Sequence, residues 1–246
     1  MDYTYRVGER WLTNEGYWVE IIEYITSKNV TIMFEDENIL KKVKYDNVKN
    51  GQIKNVNHRS IFNLGYEGYG NYKVQLHGVK TENYIKWYGA MRRCYYNSEL
   101  IRNPTYLKCH VDKYWHNFQN FAKWHEENYI EDWELDKDIL FKGNKIYSSE
   151  TCCYVPKEVN NLFIKSDSAR GEYPIGVTAR KNKYVASIQM SGEGIHLGTF
   201  DTVEEAFLAY KTAKEQYIKE VADKWKPFIK PNVYCAMYTY QVEITD

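Results

Sequence analysis

Three short basic clusters are the residues best able to meet phosphate: Lys41-Lys42-Lys44, Arg92-Arg93 and Arg180-Lys181-Lys183. Ammonium and guanidinium groups at that density neutralise backbone charge on a nucleic acid, and a guanidinium also pairs bidentately with a base edge. Other chemistries are poorly served. The five cysteines, at 94, 109, 152, 153 and 235, include no Cys-x-x-Cys pair. They read as reduced thiols rather than zinc ligands, and the adjacent Cys152 and Cys153 are expected on opposite sides of a strand. Gly65-Tyr-Glu-Gly68-Tyr-Gly70 lacks both the Lys-Ser/Thr of a phosphate loop and the spacing of a dinucleotide fingerprint. No Ser/His/Asp arrangement emerges, and His110, His116 and His125 read as surface or helix-packing residues.

Charge argues against a general polyanion binder. The 33 Lys and Arg are balanced by 33 Asp and Glu, and each third of the chain is close to neutral. Proteins devoted to nucleic acid usually carry a basic excess, so local clusters must supply any footprint, and modest non-specific affinity is expected. With 43% hydrophobic residues the 246-residue chain can bury two or three small cores. Its 24 Tyr and 7 Trp serve either base stacking or core packing. No apolar run approaches membrane-spanning length and no signal-type segment opens the chain, so a cytosolic protein without membrane contact is expected.

The elements that would position these groups follow from periodicity. Near the C-terminal end, Ile175-Gly-Val177, Tyr184 to Met190 and Ile195 to Phe200 read as short strands separated by turns at Lys181-Asn182-Lys183 and Ser191-Gly-Glu-Gly194. The period then changes from two to 3.6. Asp201-Thr202 caps a helix with Glu204 and Glu205 in its first turn, and Val203, Ala206, Phe207, Tyr210 and Ala213 make its apolar stripe. At the other end, turns at 14–16, 27–29 and 36–38 separate strands over Tyr17–Tyr24 and Val30–Phe34, with Val48 to Gly51 closing the set. Between them, Tyr84–Cys94 and Trp115–Trp124 read as amphipathic helices. Trp133 to Asp138 is a strand running into a loop at Lys142-Gly143-Asn144. Tyr147 to Val155 returns, and Pro156 opens a short helix holding Asn160 and Asn161. The tail from Lys226 holds two prolines and an aromatic stretch.

Ile175-Gly-Val177, Tyr184-Val-Ala-Ser-Ile188, Leu197-Gly-Thr-Phe200 and the Glu-Glu-Ala-x-x-Ala-Tyr run ending at Tyr210 resemble the plant ethylene-response-factor (APETALA-type) DNA-binding domain, over about a fifth of the chain. The resemblance implies a three-stranded sheet whose face opposite the helix enters the DNA major groove. Carried over by position, it makes Thr178, Arg180, Lys183, Ser187, Gln189 and His196 the contacts. Positions 178 and 189, Arg in that family, are Thr and Gln here, position 187 is Ser in place of Glu, and His196 replaces a Trp.

The stretch from Tyr84 to Phe163 resembles the HNH (ββα-metal finger) nucleases of phages and group I introns, through the helix Trp115-His-Asn-Phe118-Gln-Asn-Phe121 and the strand–loop–strand–helix after it. That likeness implies a divalent metal, Mg²⁺ or Mn²⁺, held by Asp136 and Asn160. It puts Lys137 where the family has its general-base His and Thr151 where it has the Asn that orients that His. A solvated Lys, with a pKa of roughly 10.4, is a poor base near neutral pH, so Lys137 reads better as a phosphate clamp, with Asp138 as a substitute base. The first 55 residues look like a Src-homology-3-type barrel of the sort fused to phage nucleases.

The expected fold is therefore α+β: a small β barrel over 1–55, a linking segment over 56–80, an HNH-like ββα domain with flanking helices over 81–165, a three-stranded antiparallel sheet plus helix over 170–225, and a tail over 226–246. Two functions stay open. One is a phage or mobile-element homing endonuclease that binds double-stranded DNA and nicks it with a divalent metal. The other is a catalytically degenerate relative that regulates genes or inhibits a host defence nuclease, whether of restriction or CRISPR type.

Overall fold

Alternation of buried and exposed side chains builds the first sheet. In the computed structural model, which describes residues 4–37, 39–164 and 172–244, β1 (Arg10–Leu12), β2 (Trp18–Thr26), β3 (Asn29–Phe34) and β4 (Ile39–Val43) pair as an antiparallel meander in that order. Val19 and Ile21 of β2 stand opposite Phe34 and Ile32 of β3, and all four are buried in one core with Val30, Val48 and Ile53. No ladder joins β1 to β4 among the described residues, so the sheet does not close into the expected barrel. Val48 is not on a strand either. It lies on α1 (Tyr45–Lys49), which Gly51 terminates with φ +68°. Gly51 is the left-handed residue after a helix end, with its N–H donating to Val48 O at 3.0 Å and its carbonyl accepting from Asn14 N at 2.8 Å. A Val followed by Lys-Asn-Gly thus reads as a strand closing a turn when it is a helix end doing so. Asn38, in the third expected turn, lies outside the described residues.

The chain divides into two compact units, Met1–Glu127 and Asn128–Asp246. The rest of the first unit is helical. Tyr84, Trp87, Ala90, Met91 and Cys94 line the buried face of α2 (Glu82–Tyr95), while α4 (Phe118–Asn128) buries Phe118, Phe121 and Ala122; α3 (Asn97–Arg102) lies between them in sequence. The Trp87 and Phe118 ring centroids are 5.5 Å apart, and Trp87 Nε1 donates to the Trp115 carbonyl at 2.7 Å. The segment read as a linker is held in place. Gln119 Nε2 donates to the carbonyls of Glu67 and Tyr72, and Gln119 Oε1 accepts from Tyr72 N. The segment ends in a small exposed hairpin, β5 (Gln75–Leu76) with β6 (Val79–Lys80).

In the second unit β7 (Trp133–Asp136) pairs antiparallel with β8 (Cys153–Pro156), and α5 (Lys157–Leu162) follows directly. A second meander comprises β9 (Val177–Arg180), β10 (Lys183–Met190) and β11 (Glu193–Phe200). The boundary between these two parts, drawn from sequence at 165–170, falls outside the described residues. One long helix, α6 (Val203–Trp225), serves both. Thr202 and Glu205 form the capping box at its start, each side chain bonding the other's backbone N–H. Its first turns bury Ala206, Phe207 and Tyr210 against Val177, Ala186 and Ile188 of the sheet. Its last turns bury Ile218, Val221 and Ala222 against Val155, Val159 and Leu162. Gly176 has φ +76°, and a Cβ there would lie 2.0 Å from Tyr210 Cδ2, so the Ile-Gly-Val start of the sheet is fixed by how closely α6 lies on it. The tail forms α7 (Pro231–Tyr238), which buries Val233 and Met237 beside Ile218, and then sends Val242 into the sheet–helix core.

Candidate functional site

The register of β9–β11 decides which side chains share a face. Thr178 stands opposite Val185 and Arg180 opposite Lys183. Residues 183, 185, 187 and 189 of β10 therefore point away from α6, while Ala186 and Ile188 point into the core. On the other side of β10 the register slips between Ala186 and Ser187, so that Gly198 faces Ala186 but His196 faces Ser187. This bulge drops Leu197 from the ladder and turns His196 outward. Thr178, Arg180, Lys183, Ser187, Gln189 and His196 thus lie on one exposed face. Among the described residues only Lys183 of these six has a side-chain partner, an ion pair with Asp201.

None of the described residues of the tail is seen to cover this face. Val242 packs on the α6 side, where its carbonyl accepts from Lys211 Nζ at 2.5 Å and its N–H donates to Glu215 Oε1 at 2.8 Å. The acids of the first turn of α6, Glu204 and Glu205, belong to the opposite side of the sheet.

The finger centre is arranged differently. Asp136 ends β7 opposite Cys153. Its Oδ1 accepts from the N–H groups of Asp138 (2.6 Å) and Ile139 (2.7 Å), closing a tight turn. Burial pushes its carboxyl above the usual carboxylate range, against the pull of those two amides. Lys137, only 5% exposed, donates from Nζ to Asp138 Oδ1 at 2.5 Å and to the Asn144 carbonyl at 3.2 Å, and lies 5.8 Å from the centre of the Tyr147 ring. An ammonium so placed has no lone pair to take a proton from water. Thr151 does not reach Lys137. Its Oγ1 donates to the Ile146 carbonyl at 2.7 Å and lies 3.0 Å from Ser148 Oγ. The amide that holds Lys137 is Asn144, whose Nδ2 donates to the carbonyls of Lys137 (2.8 Å) and Ile146 (2.7 Å). In sequence Asn144 is only a loop residue after a glycine; its place seven residues beyond Lys137, inside the same loop, was the available signal. Asn160 lies half-buried on α5, which packs against both strands of the finger.

Asp136 Oδ2 and the Asn160 carboxamide have no hydrogen-bond partner among the described residues. They are hard oxygen donors of the kind Mg²⁺ takes when substrate phosphates complete its shell. No group of three or more His, Cys, Asp or Glu side chains among the described residues could hold a metal ion by itself. Cys152 and Cys153 are both buried beside Asp136; burial pushes the Cys152 thiol up to about 12 and Cys153 higher, leaving both as neutral core groups. No helix among the described residues is long and apolar enough to cross a membrane.

No protein-family model, curated protein or solved structure matches this chain. The residues and their geometry therefore carry the functional argument.

Proposed function

We propose that the chain binds double-stranded DNA through the outer face of β9–β11, and that the finger centre acts as a scaffold without hydrolysing the strand. The observation that carries this reading is the shared, uncovered polar face of six side chains. Arg180 and Lys183 supply phosphate or guanine contacts, Gln189 suits adenine, and Thr178, Ser187 and His196 complete the face. The ancestry implied by the two resemblances belongs to the same proposal. β7–β8–α5 is then an HNH ββα finger and the sheet with α6 an ethylene-response-factor-type domain, both from a phage or mobile-element protein. A divalent ion held by Asp136 and Asn160 would neutralise phosphate charge. The chain's own contribution there stops short of catalysis, because the amine in the base position is buried, ion-paired and a donor.

Duplexes selected from a random library test both halves. Arg180→Ala with Lys183→Ala is expected to weaken binding at least tenfold with Tm unchanged, and plasmid incubated with Mg²⁺ or Mn²⁺ is expected to stay uncut. Equal binding by wild type and the double variant removes the sheet from the account. Metal-dependent nicks that vanish in Asp136→Ala remove the scaffold reading and restore the endonuclease.

A further inference from the structure

The neutral total hides an uneven distribution that follows the fold. Residues 1–53 carry seven Lys and Arg against nine acids, and residues 128–246 carry fifteen against eighteen. Residues 54–127, the helical half of the first unit, carry eleven against six. The basic excess therefore lies outside the sheet assigned to DNA above.

Within that half, the outward stripe of α2 has an unusual member. Ile85, Gly89 and Arg92 recur at helical spacing, with Lys86 and Arg93 beside them, opposite the buried Trp87, Ala90, Met91 and Cys94. Ile85 is 49% exposed and the Arg92 side chain 46%. Gly89 sits mid-helix with ordinary right-handed backbone, and a Cβ built there would meet nothing within 4 Å. No turn, strain or internal packing calls for a glycine at that point. Glycine in a helix interior lowers stability relative to alanine, and no close packing against Gly89 compensates for it among the described residues. A flat, side-chain-free patch between basic residues is the shape that lets another backbone approach closely. Lys80, at the end of the hairpin, extends the positive surface over the Tyr84 and Tyr88 rings, 5.2 and 5.3 Å from their centres. Among the described residues Glu82 pairs with Lys86 at 3.7 Å and Glu99 with Arg92 at 3.0 Å; the Lys86 and Glu99 side chains are 23% and 15% exposed, so phosphate would meet Arg92, the more exposed partner, in competition with a half-buried carboxylate.

We infer that the outer face of α2, centred on Gly89 and flanked by Lys80, Lys86, Arg92 and Arg93, is a second nucleic-acid surface that lies against the phosphate backbone of a duplex without reading its sequence. It stands on charge and on the unexplained glycine, not on the sheet, so it holds or fails independently of the DNA-reading face.

The test separates stability from binding. Gly89→Gln introduces a helix-favouring side chain into open space and is expected to raise Tm by a few degrees. The same variant is expected to weaken binding of a random-sequence 30-base-pair duplex at least fivefold. Gly89→Ala, with only a methyl group, should raise Tm and reduce binding less. Arg92→Gln should lower the slope of log affinity against log salt by about one. All three are measured on the full chain and again with Arg180→Ala and Lys183→Ala, where the losses should persist. Unchanged duplex affinity in a stabilised Gly89→Gln protein overturns the inference, as does an Arg92→Gln protein with the wild-type salt slope; if Gly89→Gln lowers Tm, the outcome rests on Gly89→Ala and Arg92→Gln.

Discussion

The two ends of α6 hold polar residues in opposite ways. At its N-terminal end the sheet presents five side chains that have no partner among the described residues, plus Lys183 in an exposed ion pair. At its C-terminal end most of the finger's polar groups are committed within the finger: Asp136 Oδ1 to its own turn, Lys137 to Asp138, Asn144 to the carbonyls of Lys137 and Ile146, and Thr151 to that same Ile146 carbonyl. Polar groups with internal partners hold a loop in shape, whereas polar groups on a flat, uncovered sheet are available to a ligand. One helix can therefore support an uncovered polar face at one end and a loop closed on its own hydrogen bonds at the other.

The strongest challenge to that contrast is Asn144→Ala. It strips the Lys137 carbonyl of its amide donor, leaves the Ile146 carbonyl with Thr151 Oγ1 alone, and should lower stability by about 2 kcal/mol, seen as a shifted denaturant midpoint; a variant as stable as wild type would mean that the loop is not organised around this amide. A smaller effect is expected at the sheet end. Thr202→Ala removes one half of the capping box and should cost about 1 kcal/mol, read as faster amide exchange in the first turn of α6 with little change in the last. The smallest lies at the finger end. Glu158 accepts from Lys224 Nζ at 2.6 Å and from Trp225 Nε1 at 2.7 Å, and the Lys224 hydrogen bond holds its carboxyl below the usual range. A depressed carboxylate stabilises the fold above its unfolded pKa, and that contribution is lost as pH falls through the folded value. A few tenths of a kcal/mol should therefore disappear below about pH 4.3, absent in Glu158→Gln; identical acid profiles for the two proteins would refute the clamp.

Local pattern made much of this legible. The switch from alternation to a 3.6-residue period located the second sheet and α6, and Thr202 announced the helix start. Where sequence reasoning fell short, the missing information was non-local. The apolar stripe was followed to Ala213, yet Ile218, Val221 and Ala222 continue the helix against a different core, one formed by residues some sixty positions earlier. Gly51 looked like a turn after a strand because a left-handed glycine serves either purpose. The six face residues came from the resemblance to the ethylene-response-factor domain, position by position, and the register of β9–β11 sets them on one side of the sheet. The bulge that turns His196 outward was not read from the sequence, because it depends on pairing between strands. Asn144 was missed because a loop asparagine can bond any of several carbonyls, and only the folded loop chooses. The uneven charge follows the boundary at 127, which equal thirds of the chain straddle and average away.

The centres of the two α6 patches, Ala206–Tyr210 and Ile218–Ala222, are twelve residues apart along one helix, about 18 Å. Their mutual orientation is thus a matter of residue counting. Adding or removing a single residue between Tyr210 and Ile218 would swing one end about 100° around the axis relative to the other. Lineages carrying this architecture should consequently accept substitutions along that stretch while rejecting indels, except those of seven or eleven residues, which bring the helix close to its original phase.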